Sequence, residues 1–132
     1  MILKRIAYVK HKMLRAYRRQ NCASMILKRT DYVKLYISGP ITGIENYEKN
    51  FLAAERALRL SGYIVVNPCK IRHRGTMWED YMKRDIAALL DCDGVATLPN
   101  WTNSRGANLE IRIAQALGMP VKRFTRWINE TH

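Results

Sequence analysis

The sequence predicts an α/β fold in which a parallel sheet is covered on both faces by helices. Three observations carry this. Short runs of β-formers alternate with helical stretches of about 12–16 residues between Val33 and Phe124, the signature of βαβ units. Turn and stop signals (Gly39-Pro40, Gly62, Pro68, Gly118, Pro120) fall between those runs. A length of 132 residues, with 48% apolar and 26% charged side chains, suits one ordinary folded domain.

The elements follow in order. Val33–Ser38 is rich in β-formers and ends at Gly39-Pro40. Residues 46–61 carry Phe51, Ala54 and Leu58 on one helical stripe, with Gly62 as the stop. Tyr63–Asn67 is a second, β-branched strand closed by Pro68, and residues 68–75 read as a loop. Thr76-x-x-Glu79 has the form of a capping box and opens a helix running to about Leu90. Asp93–Leu98 is the third strand, and 99–103 a loop. Ser104 begins a helix that stops at Gly118. Val121–Phe124 is a fourth strand, and the last eight residues form either a short helix or a loose end.

Charge divides the chain into an extension and a domain. The total is +12, from 23 Lys and Arg against 11 Asp and Glu. Residues 1–24 hold seven basic residues and no acid, so 25–132 carry 16 basic and 11 acidic ones. Met1-Ile-Leu-Lys-Arg-x-x-Tyr-Val-Lys10 recurs as Met25 to Lys34, eight of ten positions matching. Two copies fall short of a repeat array. The first copy is therefore expected to be a basic extension, helical or disordered, with nucleic acid as its candidate partner. The domain itself is expected over 25–132. No run of about 18 apolar residues exists, so no transmembrane helix is expected. The first twenty residues leave no apolar core for a signal peptide. Cys22, Cys69 and Cys92 are scattered and odd in number, which predicts a reducing, cytoplasmic setting.

Ligands of such sheets bind outside the carboxyl ends of the strands. That singles out residues 38–43, 67–76 and 99–106. Counting back three from Ile113 on the stripe Ile113, Ala114, Leu117 puts Glu110 on the inward face of its helix. A carboxylate there is either paired, favoured by the helix dipole, or set in a cleft. Gly106-Ala107, one turn earlier, would let a ligand approach. Asp85 lies on the stripe Trp78, Tyr81, Asp85, Leu89, and is either a cleft carboxylate or the partner of a neighbouring Arg. Asp93 opens a strand and either meets substrate or bonds backbone amides. Ser38, Gly39, Pro40, Thr42 and Gly43 follow the first strand and could cradle a phosphate. Ser104 would add a hydroxyl and a helix N-terminus. Trp101 would either stack on a base or cover the sheet end. Cys69 and His73 have C-x3-H spacing with no second pair, so no metal is expected.

Leu35-Tyr-Ile-Ser-Gly-Pro-Ile-Thr-Gly43, Arg84-Asp-Ile-Ala-Ala-Leu89, Asp93-Gly-Val, Ser104-Arg-Gly-Ala-Asn-Leu-Glu110 and Ala114-Gln-Ala-Leu-Gly-Met-Pro-Val121 follow one another in order. Together they resemble the nucleoside 2-deoxyribosyltransferase superfamily, which includes the 2′-deoxynucleoside 5′-monophosphate N-glycosidases. The sequence looks closest to a branch of small bacterial and phage proteins known only as a domain of unknown function. The resemblance covers about 33–124. It implies a flavodoxin-like or Rossmann-like three-layer fold of four to five parallel strands, assembled as a dimer or higher homo-oligomer. It also implies cleavage of an N-glycosidic bond by a Glu nucleophile at Glu110, held by Tyr36. Asp85 falls near sugar and base, Asp93 before the third strand, and Ser104 and the Gly39–Gly43 loop in the phosphate-binding segments. Pro40 and Thr42 stand where the glycosidases carry serine and arginine. Asn108-Leu109 and Ile111-Arg112 flank Glu110 where those enzymes carry an aromatic and a glycine.

The expected chemistry is a retaining displacement without metal or cofactor. Glu110 attacks C1′, Asp85 supplies a proton to the departing base, and water or a second base takes the sugar. The alternatives from the same sequence are a non-catalytic nucleotide-binding module using the same cleft, and a nucleic-acid-binding protein acting through residues 1–24.

Overall fold

A computed structural model describes residues 32–130. The expected basic extension over 1–24 lies outside the described residues. Strand β1 (Lys34–Ser38) alternates its side chains between two faces. Leu35 and Ile37, with Val33, meet Phe51, Ala54 and Leu58 of helix α1 (Tyr47–Leu60). Tyr36 turns to the opposite face, where it joins Leu89, Val95, Ile111 and Ala114. The sheet therefore separates two apolar clusters, one on each side, and three layers result.

Helix α1 ends at Ser61, and Gly62 takes φ 95°. Its N–H donates to Arg59 O at 2.9 Å, and that of Tyr63 to Leu58 O at 3.1 Å, a left-handed stop suited to glycine. Strand β2 (Ile64–Val66) follows, and the expected loop after it begins with a 3-10 turn, Pro68–Lys70. Helix α2 (Trp78–Leu90), strand β3 (Gly94–Thr97), a second 3-10 turn (Trp101–Asn103) and helix α3 (Arg105–Ala116) come next. Strand β4 (Val121–Arg123) and helix α4 (Phe124–Asn129) complete the described chain.

All neighbouring strands pair in parallel in the order β2-β1-β3-β4, with Leu35 beside Val65, Tyr36 beside Val95 and Ala96 beside Lys122. Strand order reverses between β1 and β3. At such a switch point the loops leaving adjacent strands diverge and open a crevice. Helices α1 and α4 pack together on one face, α2 and α3 on the other. Among the described residues no helix is long and apolar enough to cross a membrane.

Two sequence expectations need correction, and one open alternative is decided. The capping box is one residue out: α2 opens after Met77, and Asp80 Oδ2, not Glu79, accepts the Met77 N–H at 3.1 Å. The inward stripe of α3 is rotated: Ala107, Glu110, Ile111 and Ala114 are buried, while Leu117 is exposed beyond the helix end. Of the two alternatives for the C-terminal segment, the short helix is the one formed, as α4. Trp127 is fully buried, its Nε1 donates to Val95 O at 2.8 Å, and its own carbonyl accepts from Tyr63 OH at 2.8 Å. A Cβ on Gly94 would lie 2.9 Å from the Trp127 ring, so a glycine at the head of β3 is what admits the indole.

Candidate functional site

The segments leaving β1, β2 and β3 surround a hollow of about 490 Å³, within the range of small-ligand sites. Its lining includes Thr42, Phe51, His73, Asp85, Ser104 and Glu110. The sheet brings residues distant in sequence to this point because β1 and β3 run side by side and α3 starts just beyond β3.

Glu110 sits in the second turn of α3 with 5% of its surface exposed. Tyr36 OH donates to Oε2 at 2.6 Å and Ser38 Oγ–H donates to Oε1 at 2.7 Å, both buried. Tyr36 and Ser38 are two apart on β1 and so share a face. Burial pushes the Glu110 carboxyl up to about 7; the two hydroxyls pull it down, and the nearby Asp85 charge adds to the rise. Burial beside Glu110 in turn drives the Tyr36 phenol well above its usual value, so Tyr36 stays a donor.

Glu55 shows what an ordinary buried glutamate looks like in this fold. It is as deeply buried, at 4% exposure. Burial alone would raise it, but Asn67, Arg59 and Lys70 all donate to it and bring it down to about 2. That network ties the turn at 67–70 to α1. Glu110 has hydroxyls where Glu55 has cations. It therefore exchanges its proton near neutrality, which lets it act as a nucleophile or base.

Asp85 is the second buried carboxyl of the hollow. Its partner is His73, not an arginine: Nε2 lies 2.8 Å from Asp85 Oδ1. Burial raises Asp85, and the hydrogen bond and charge of His73 oppose that. The His73 ring also lies against Tyr81, centroids 4.5 Å apart. Trp78 forms another part of the wall and carries Arg105 over its ring at 3.6 Å.

The remaining expected site residues divide. Gly39, Thr42, Ser104 and Gly106 line the hollow. Ser104 is also the cap of α3, its Oγ accepting Ala107 N–H at 3.1 Å. The space beside Gly106 is taken by Met82 Sδ, 3.2 Å from where a Cβ would stand, so its smallness serves the α2–α3 contact. Pro40 and Gly43 belong to the same loop but do not line the hollow; Gly43 supplies a turn at φ 78°. Asp93 is at the opposite end of the sheet. Its Oδ2 accepts Lys34 N–H at 2.8 Å, because a strand's first residue lies at the amino edge and the hollow at the carboxyl edge. Trp101 packs half-buried on the Tyr36–Ile111 cluster and lines a separate hollow with Arg123 and Phe124, carried there by its 3-10 turn.

His73 is the residue that spacing arguments missed, because they tested it only as half of a metal pair. The usable signal was Asp85, a carboxyl on an inward stripe with a histidine in the loop just before its helix. Cys69 lines the hollow as well, but burial raises its thiol to about 11, so it is not a ready nucleophile. Among the described residues no three His, Cys, Asp or Glu side chains converge to hold a metal ion.

Fold and site define a doubly wound α/β domain with a carboxyl-bearing cleft at its switch point. The chain belongs to the DUF4406 family, a domain of unknown function whose model matches residues 33–123. No curated protein and no solved structure matches it.

Proposed function

We propose that this protein cleaves or transfers the N-glycosidic bond of a nucleoside or nucleotide, with Glu110 as the nucleophile. One observation carries the reading: Glu110 is buried at the rim of a nucleoside-sized hollow, bonded by the Tyr36 and Ser38 hydroxyls, and among the described residues no ion pair neutralises it. The motif resemblance over 33–124 supports the same chemistry. Tyr36 and Ser38 orient the carboxylate and stabilise its ionised form. A bound ligand that excludes water would then face an anion poised to attack C1′. Departure of the base leaves the sugar on Glu110, and water or a second base releases it. A proton must reach the leaving base, and Asp85 is the sequence-based candidate for supplying it.

The test is incubation with ribo- and 2′-deoxyribonucleosides and their 5′-monophosphates, followed by chromatography of free base. The wild type is expected to release base from at least one of them. Glu110→Gln is expected to lose at least about a thousandfold of that activity. Binding without base release would support the non-catalytic nucleotide-binding reading instead, and equal release by Glu110→Gln would remove the nucleophile assignment.

A further inference from the structure

We infer that His73, not Asp85, delivers the proton to the departing base, and that Asp85 is its positioning partner. The inference rests on the glycosidic reading and deepens it. His73 lines the same hollow as Glu110 but reaches it from the segment after β2, whereas Glu110 comes from the helix after β3. The His73 side chain is 14% exposed and that of Asp85 10%, so the pair is shielded yet borders the hollow. Nε2 lies 2.8 Å from Asp85 Oδ1, and an ionised Asp85 can only accept, so Nε2 carries the N–H. With Nε2 committed, Nδ1 is the nitrogen that gains and loses a proton, and among the described residues no hydrogen bond reaches it. Tyr81 lies against one side of the ring, centroids 4.5 Å apart, while the bond to Asp85 sets the tautomer.

A donating Asp85 would need to hold its own proton beside a histidine that favours its anion. A carboxylate that orients an imidazole and stays ionised is the cheaper arrangement, the relation between acid and histidine that recurs in hydrolytic triads. The titratable groups that share the hollow with His73 are Asp85 and Tyr81 of α2, Tyr47 of α1, Cys69 of the turn after β2, and Glu110 of α3. The step balances as follows. A Glu110 oxygen bonds to C1′ while the C1′–N9 bond of a purine breaks, its electron pair passing into the ring. The proton on His73 Nδ1 moves to a ring nitrogen of the purine, which leaves neutral. The now neutral Nδ1 takes a proton from the attacking water, and Glu110 leaves C1′ as carboxylate.

A base that departs without needing a proton separates this role from a structural one. The probes are purine nucleosides and 5′-monophosphates, ribo and 2′-deoxy, each beside its N7-methylguanine counterpart, whose base is already cationic. His73→Gln is expected to lower base release from the ordinary purines by about 10²–10⁴-fold. On the N7-methylguanine probes it should lose no more than about tenfold, while Glu110→Gln loses both activities. Asp85→Asn should show the same split as His73→Gln with a smaller loss. Equal losses on the two probe types, or no loss, would overturn the assignment of His73 and leave Glu110 standing. A wild type inert on every purine probe, N7-methylated ones included, would overturn this inference, and one inert on the pyrimidine counterparts as well would overturn the glycosidic reading with it. Melting of His73→Gln and Asp85→Asn within a few degrees of wild type, and of Glu110→Gln at or above wild type, checks that the fold is kept.

Discussion

Glu110→Gln is expected to stabilise the protein, and by more as pH rises. The folded carboxyl titrates at about 7 against an ordinary 4.5. Between those values the unfolded chain has released its proton and the native protein keeps it. Native stability is therefore lost progressively as pH climbs through that window, and the loss is complete above about 7. At about 1.4 kcal/mol per pKa unit, ionised Glu110 costs the native state about 3 kcal/mol. Glutamine removes the charge and keeps the shape. The Tyr36 and Ser38 hydroxyls can each donate or accept, so its amide finds partners in the same place. The assay is thermal melting of wild type and variant, followed by circular dichroism, near pH 5 and near pH 8. The Tm advantage of the variant should grow between them by an amount on the order of 10 °C. Titrating groups not coupled to Glu110 are common to both proteins and cancel in the difference. Parallel Tm profiles would mean that Glu110 ionises like a surface carboxylate, and the argument from burial would be wrong.

Tyr36→Phe removes one of the two donors that favour the Glu110 anion, so the acidic limb of the pH–rate profile should move upward; an unmoved or lowered limb contradicts the assigned hydrogen bond. Glu55→Gln leaves Arg59 and Lys70 without their anchor and should cost about 1–3 kcal/mol by urea denaturation near neutrality. Because Glu55 titrates low, at about 2 in the fold, that gap should narrow as pH falls below about 4.5, and a gap independent of pH would refute the charge network. Gly94→Ala drives a methyl into the Trp127 ring and should cost about 1–3 kcal/mol, read from the same denaturation curves.

Much of the architecture was legible because its signals are local. The β-branched runs, the glycine and proline stops and the α1 stripe each specify their element without tertiary help. Boundaries were less so. The pairs Thr76–Glu79 and Met77–Asp80 compete for the start of α2, and the second wins where the chain turns at Gly75 with φ 84° and Asp80 Oδ2 accepts the Met77 N–H. Trp127 was unreadable for a different reason: one indole in a polar tail gives no period, and its burial depends on the absent side chain of Gly94. In the site, Glu110 could be found from spacing, since a carboxyl on a core stripe is a local anomaly. Its two hydroxyl partners lie more than seventy residues away, and only strand pairing brings them there. For Asp93 the local signal pointed the right way: a residue that opens its strand lies at the amino edge, and the backbone-bonding alternative is the one found, while its place among the site residues came from the motif resemblance. His73 was hidden because its significance lies in Asp85, which it meets through the turn between β2 and α2.

The central claim is that the Glu110 carboxylate forms a bond to the sugar. Acid-quenching the enzyme during turnover, digesting it and weighing its peptides tests this most directly. The account predicts a single added glycosyl mass on the peptide containing Glu110, absent from Glu110→Gln. The sugar found on any other side chain, or undiminished base release by that variant, would contradict it.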